Sequence, residues 1–173
     1  MDSKVIMSGE PPQANILIMR NKLFIVIALI ALLSGCKKDD FLDWKARNEM
    51  ILEQVKKDPD FKTSPTGLVY CIREDKFTSE AKPNSGSIVR CDICDGWLIN
   101  GYKFQRGGLN NPVSELIPGF QEALKMIHTY GTIEIYVPYE LGYGKDGIGT
   151  EGTTSFIPPY SLLHFYIHIA AIN

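Results

Sequence analysis

The clearest pattern in the chain is a two-residue alternation of apolar and polar positions in two segments near its end. In residues 132–137, Ile133, Ile135 and Val137 alternate with Glu134 and Tyr136. Residues 162–172 alternate in the same way. The apolar positions are Leu163, Phe165, Ile167 and Ile169, and the polar positions between them are His164, Tyr166 and His168. This alternation predicts two strands that each turn one face to a core and the other to solvent.

Three shorter apolar runs, residues 68–72, 88–94 and 97–104, predict further strands. Asn100-Gly101 is a strong hairpin signal. One helical segment interrupts the strands, opened by Pro118-Gly119 and closed by Gly131, with an apolar stripe of Phe120, Leu124 and Ile127. Strands packed on one short helix predict an α+β domain of about 110 residues.

A second helix is predicted ahead of this domain, from Phe41 to about Lys57. Its apolar residues lie close to helical spacing, and acidic residues stand near its start, where the helix dipole favours them. Asp58-Pro59-Asp60 ends the helix, and the turn-rich residues 63–67 begin the next unit. We therefore expect a boundary near residue 62 and the sheet domain over residues 63–173.

The start of the chain is typical of an export signal. Arg20 and Lys22 precede an apolar run of 11 residues, 23–33, whereas a spanning helix needs about 20. The following residues 33–36, LSGC, resemble the lipobox of bacterial lipoproteins, which implies a signal peptide over residues 19–35 and a lipid on Cys36. A plain signal peptide is the alternative. Residues 1–18 fit neither pattern and are interpreted as a dispensable extension before a start at Met19.

Length and charge narrow the classes of function. A chain of 173 residues accommodates one domain with appendages. With 18 basic and 20 acidic residues, the formal charge is -2, so the chain has no basic excess to bind nucleic acid or an anionic membrane surface. We expect membrane contact through the lipid alone.

Residue types associated with catalysis indicate little chemistry by themselves. His164 and His168 are four residues apart on a predicted strand, which separates them by roughly 13 Å. Because this distance is too long for both to bind one metal ion, we interpret them as exposed side chains. Cys91 and Cys94 are predicted on opposite faces of a strand, which disfavours a redox site, and Cys71 is the plausible disulfide partner of either. The chain carries neither a phosphate-binding loop nor a hydrolase motif. We predict no metal and no cofactor.

Several motifs follow one another in an order that is more specific than any of them alone. They are residues 96–104 (GWLINGYKF), 116–124 (LIPGFQEAL), 138–144 (PYELGYG), 157–159 (IPP) and 163–165 (LHF). In this order they resemble the FKBP-type peptidyl-prolyl isomerases over roughly residues 66–173. With the lipobox, the whole chain resembles small FKBP-like lipoproteins of Gram-negative bacteria.

The resemblance implies a twisted antiparallel sheet wrapped around one short helix, with a ligand pocket between them. It also implies site residues: Phe104, Ile117, Tyr143 and Phe165 as catalytic, and Leu116, Phe120 and Ile157 as substrate-binding. Among these, the Ile117 N–H would donate to the substrate backbone and the Tyr143 hydroxyl would be offered from a loop. Prolyl isomerisation needs no cofactor, because an apolar site that favours the twisted amide lowers its barrier of about 18 to 20 kcal/mol.

The chain departs from the family pattern at four places. Family members usually have a tyrosine on the strand before Gly96. In this chain its position is taken by Cys94, or by Ile93 if one residue forms a bulge, and the alternation of Val89, Cys91 and Ile93 favours Ile93. The aspartate that usually follows Phe104, which in the family accepts a hydrogen bond from macrolides such as rapamycin, is Gln105.

The other two departures concern loops. Only 11 residues separate Phe104 from Leu116, so a stretch that usually supplies a pocket aromatic is missing. Conversely, residues 145–156 form a longer loop than usual, either a flap or a specificity loop.

These features together predict a weak peptidyl-prolyl isomerase that acts on proline-containing segments of exported polypeptides. The alternative is a noncatalytic FKBP-fold chaperone or peptide-binding module. We expect a monomer, because one helix of about 17 residues is short for a dimerisation arm. The lipid anchor predicts location at the bacterial outer membrane, on its periplasmic or its outer side.

Overall fold

The computed structural model describes residues 41–173. The predicted extension 1–18, the signal peptide 19–35, Cys36 and the tether after it therefore lie outside the described residues. Within residues 41–173, none of the helices has both the length and the apolar character needed to cross a membrane.

Helix α1, Leu42–Val55, confirms the helix predicted ahead of the sheet. Polar contacts fix it to the segment that leads into the last strand. The Trp44 indole N–H donates to Ser161 Oγ at 3.0 Å, and Asn48 Oδ1 accepts from the Leu162 N–H at 2.7 Å. Both polar atoms of the buried Asn48 side chain are hydrogen-bonded, since its Nδ2 donates to the Trp44 carbonyl at 2.7 Å. A buried amide with two partners costs less to bury than an unpaired one, and the bond to Leu162 fixes the helix to the sheet domain.

Seven strands form one antiparallel sheet in the order β1-β2-β6-β7-β3-β4, with β5 paired to β3. The strands are β1 Lys62–Thr63, β2 Val69–Glu74, β3 Ile88–Leu98, β4 Lys103–Gln105, β5 Leu109–Pro112, β6 Thr132–Val137 and β7 Leu163–Ile172. The second helix, α2, Pro118–Leu124, packs on one face of the sheet. The predicted α+β architecture is confirmed.

The alternation read from the sequence settles which face is the core. Ile133, Ile135 and Val137 of β6 are fully buried, together with the apolar positions of β7 opposite them. Phe120 and Leu124 of α2 complete this core. α2 ends at Leu124, well short of the predicted end at Gly131. The His128 N–H donates to Asp75 Oδ1 at 3.0 Å instead of continuing the helical ladder.

The runs predicted as 88–94 and 97–104 are divided differently in the structure. β3 continues through both to Leu98, and the chain then turns at Asn100-Gly101 into β4. Gly101 has φ +80° and its N–H donates to the Leu98 carbonyl at 2.9 Å, which confirms the hairpin signal. β5 was not predicted, because Leu109–Pro112 contains two asparagines and a proline and has little strand character.

A bulge in β3 overturns the expectation that Cys91 and Cys94 face opposite sides. Cys91 is paired with Ile169 and Cys94 with Ile167, but two residues, Asp92 and Ile93, stand opposite His168. The extra residue returns Cys94 to the core side, so both thiols are buried. Burial raises the pKa of each to about 12 and leaves them unionised.

Cys71 forms a disulfide with neither of them. All three cysteines within residues 41–173 are free, and Cys71 is half-buried.

The two strand histidines are not simply exposed, as predicted. They lie half-buried on the outer face of the sheet, and each contacts a carboxylate. His164 Nε2 lies 2.7 Å from Glu134 Oε1, and His168 Nδ1 lies 2.6 Å from Asp92 Oδ1. Within residues 41–173, no group of three or more His, Cys, Asp or Glu side chains is placed to hold a metal ion.

Candidate active site

A cleft of about 560 Å³ lies between α2 and the core face of the sheet. One side of it is apolar and aromatic, and the other side consists of amides and backbone from β4, β5 and the turn between them. The lining residues are Cys94, Phe104, Gln105, Gly108, Leu109, Asn110, Asn111, Glu115, Leu116, Ile117, Phe120, Tyr143 and Phe165.

Three phenylalanines form the floor and one wall of the cleft. Phe165 of β7 lies between the other two, with its ring centroid 5.4 Å from Phe104 and 5.0 Å from Phe120, and both pairs meet edge to face at 85°. Phe165 and Phe120 are almost fully buried, whereas Phe104 is half-buried. Edge-to-face pairs are a favoured arrangement of aromatic rings, so the three side chains form one packed, apolar floor.

The rim is the extended segment Leu116-Ile117 between the 3-10 turn Val113–Glu115 and α2. The Ile117 carbonyl accepts from the N–H groups of Phe120 at 2.9 Å and Gln121 at 3.1 Å, which begins the helix. The Ile117 N–H has no hydrogen-bond acceptor among residues 41–173. A backbone donor is therefore available at the edge of an apolar cleft.

Tyr143 reaches the cleft from the loop that follows the 3-10 turn Tyr139–Leu141. Its ring is half-buried, and this burial raises the pKa of its phenol above the usual value. Its hydroxyl makes no hydrogen bond to any other residue of the described chain. The side chain thus brings a neutral donor to the cleft.

Comparisons with known proteins identify this arrangement. Residues 79–170 match the family model described as FKBP-type peptidyl-prolyl cis-trans isomerase. The chain belongs to this family. It is 34% identical over 139 residues to the FKBP-type peptidyl-prolyl cis-trans isomerase FkpA of Escherichia coli K12, covering 78% of this chain and 48% of that protein.

A second relative is the outer membrane protein MIP of Legionella longbeachae, at 32% identity over 134 residues, 75% of this chain and 54% of that protein. The chain spans about half the length of the curated relatives it matches. The crystal structure of FkpA from Escherichia coli superposes with a TM-score of 0.69 at 30% identity, over 90% of this chain and 71% of that one. These likenesses support an exported FKBP-type protein.

Six of the seven side chains that the FKBP resemblance implied are brought together in the cleft: Phe104, Leu116, Ile117, Phe120, Tyr143 and Phe165. Ile157 is not among the lining residues. It is buried in the core and forms an antiparallel bridge with Ile148, with N–H to carbonyl distances of 3.0 and 2.9 Å.

The long loop 145–156 does not contribute to the lining either. It is folded back by the bridge at its base, and the Tyr102 hydroxyl donates to the Thr154 carbonyl at 2.8 Å. Its glycines 147, 149 and 152 have positive φ, which this compact turn requires. In this FKBP the loop therefore folds beside the β3–β4 hairpin and outside the cleft.

The position of the usual FKBP tyrosine is occupied by Cys94, which lines the cleft. The sequence-based assignment of Ile93 to this position is wrong. β3 does contain a bulge, at Asp92-Ile93, but Ile93 is 42% exposed and the next residue, Cys94, faces the core. Sequence reasoning also missed the wall of Gly108, Leu109, Asn110 and Asn111. The only signal for it was an apolar Leu109 set among turn residues.

Gly96 makes room for the aromatic floor. It is paired with Phe165 across the sheet, and a Cβ at this position would lie 2.7 Å from Phe165 Cε1 and 2.9 Å from Phe104 Cζ. We expect Gly96→Ala to destabilise the fold by about 1–3 kcal/mol, as overpacking does, and to displace both rings. Urea denaturation should show the loss, and ligand binding to the cleft should weaken.

Gly86→Ala is the matched control, because its Cβ would come no closer than 3.4 Å to Asn84 Oδ1. If Gly96→Ala is as stable as Gly86→Ala, the contact of Gly96 with the two rings is not a constraint on the site.

Proposed function

We propose that this chain catalyses cis-trans isomerisation of X-Pro bonds in exported polypeptides. The observation that carries the proposal is the aromatic cleft centred on Phe165, whose rim carries a backbone donor, the Ile117 N–H, with no acceptor within residues 41–173. A planar X-Pro amide is held by resonance, and rotation through the twisted state destroys that resonance and its dipole. An apolar, water-poor cleft favours the twisted state over the planar one.

Each side chain has a role in this proposal. Phe104, Phe120 and Phe165 receive the proline ring, while Leu116 forms the rim beside it. The Ile117 N–H donates to a carbonyl of the substrate backbone, which holds one side of the bond while the other side rotates. Tyr143 donates its hydroxyl to a second carbonyl. The neutral Cys94 thiol takes no chemical part.

We infer that the activity is weak, because the side of the cleft formed by Gln105, Asn110 and Asn111 is polar. The same wall favours an alternative function, a noncatalytic module that holds extended or proline-containing segments. A protease-coupled isomerisation assay on X-Pro peptides separates the two functions. A rate equal to the uncatalysed one would exclude the enzyme.

Replacing Tyr143 by phenylalanine tests the site with little damage to the fold. Tyr143→Phe should lower kcat/KM several-fold, since it removes one hydrogen bond to the substrate. The melting temperature should barely change, because the lost hydroxyl makes no hydrogen bond to a described residue. Tyr102→Phe also loses a hydroxyl, from the hairpin outside the cleft, and should leave kcat/KM unchanged. Equal activity in both variants would contradict the role of Tyr143.

For the whole chain we propose a lipid-anchored, monomeric protein at the bacterial outer membrane. In this proposal residues 1–18 are dispensable, 19–35 are a signal peptide, 36–62 comprise anchor, tether and α1, and 63–173 form the FKBP domain. The packing of α1 on Ser161 and Leu162 of its own domain supports a monomer. Its partners are proline-containing segments, with no role for nucleic acid or a cofactor. Light scattering on the chain without its signal tests the monomer.

A further inference from the structure

The Leu116–Ile117 peptide unit has its two polar groups on opposite sides. Its N–H belongs to Ile117 and lacks an acceptor within residues 41–173. Its carbonyl belongs to Leu116 and accepts from Gln121 Nε2 at 2.7 Å. Because a trans peptide is planar, the direction of the carbonyl fixes the direction of the N–H. Any group that holds the Leu116 carbonyl therefore aims the Ile117 N–H.

Gln121 is well placed to do this. It lies in the first turn of α2, and its Nε2 also approaches the Ser114 carbonyl, at 3.3 Å. Its own backbone N–H donates to the Ile117 carbonyl at 3.1 Å. The residue therefore joins the rim segment to the helix on both sides of the Leu116–Ile117 peptide.

We propose that Gln121 is a positioning residue for substrate binding, through its hydrogen bond to the Leu116 carbonyl. The proposal rests on the isomerase function proposed above, in which the Ile117 N–H holds the substrate backbone. The bond from Gln121 keeps that N–H directed toward the cleft. It also polarises the peptide, which makes its N–H a stronger donor. Gln121 itself does not line the cleft and need not touch substrate.

Without this bond, no hydrogen bond within residues 41–173 holds either polar group of the Leu116–Ile117 peptide unit. The remaining backbone bonds, from the Leu116 N–H to the Val113 carbonyl at 3.2 Å and from the Phe120 and Gln121 N–H groups to the Ile117 carbonyl, hold the neighbouring peptide units instead. The orientation with the Ile117 N–H directed toward the cleft would then be populated in only a fraction of the molecules. The apparent dissociation constant of the substrate would equal the intrinsic one divided by that fraction, and would therefore rise. The chemical step within the bound complex would change little.

The test compares Gln121→Leu with Glu122→Leu. Glu122 is the next residue of α2, and its carboxylate accepts from Thr66 Oγ1 at 2.5 Å, on a contact that does not involve the rim. With a tetrapeptide such as Ala-Leu-Pro-Phe, Gln121→Leu should raise KM roughly two- to tenfold with kcat nearly unchanged. Glu122→Leu should leave both constants as they are. A variant that only loses folded protein lowers kcat at constant KM.

Nuclear magnetic resonance follows the same contact without catalysis. In the wild type, the peptide should move the Ile117 amide proton downfield, and in Gln121→Leu the shift at a given peptide concentration should be smaller. Gln121→Glu repeats both measurements with an isosteric side chain that cannot donate when ionised, in case the leucine variant does not fold.

An unchanged KM together with an unchanged Ile117 shift would overturn the positioning role. If the Ile117 shift is smaller in Gln121→Leu than in the wild type, but the wild type does not catalyse isomerisation, the proposed isomerase function is overturned and the positioning role stands.

Discussion

The fragment beginning at Lys37 should bind rapamycin about two to four orders of magnitude more weakly than a standard FKBP does. Gln105 replaces the aspartate that accepts a hydrogen bond from such macrolides, and a neutral acceptor costs about 1 to 2 kcal/mol relative to a charged one. Cys94 replaces a phenol, which removes a hydrogen bond of about 1 kcal/mol.

The polar wall adds to this loss. Asn110 and Asn111 stand on the side of the cleft where the shortened connection leaves out an aromatic residue, which removes about 1.5 to 3 kcal/mol of apolar burial. The sum is about 3 to 6 kcal/mol, with the neighbouring contributions not strictly additive. Isomerase activity depends more on the apolar floor than on these polar anchors and should survive.

Titration calorimetry measures this affinity directly. Gln105→Asp should tighten rapamycin binding roughly five- to thirtyfold by restoring the charged acceptor. Asn100→Asp makes the same change from amide to carboxylate on the hairpin outside the cleft, and should have no effect. Nanomolar binding by the unaltered protein would show that the missing groups are not needed.

Replacing Cys36 by alanine should release the protein from the membrane fraction almost completely. The acyl chains would supply nearly all of the membrane affinity, since each buried methylene contributes about 0.8 kcal/mol. Incorporation of labelled fatty acid should be lost in the same variant. Cys71→Ala removes a thiol from the folded domain and should keep both the label and the membrane location. Retention of Cys36→Ala in the membrane fraction would contradict lipid anchoring.

The sequence by itself determined the elements whose residues carry their own periodicity. The period of two in 132–137 and 162–172 fixed β6 and β7 and their buried faces, because a strand turns alternate side chains to opposite sides. The order of short motifs identified the family, and the resemblance implied six residues that line the cleft, since these motifs lie in the rim, helix α2 and the strands that enclose it. The N-terminal helix followed from its apolar spacing and the Pro59 stop.

Tertiary structure decided whatever depends on partners far along the chain. The bulge at Asp92-Ile93 is a mismatch between β3 and β7, so no pattern within β3 reveals it, yet it decides that Cys94 lines the cleft. β5 exists only because β3 supplies its hydrogen bonds. The withdrawal of Ile157 from the cleft depends on its bridge to Ile148, and the direction of the Ile117 N–H depends on Gln121. Each of these features is a contact between two residues that the fold brings together, so the local sequence around either residue does not predict it.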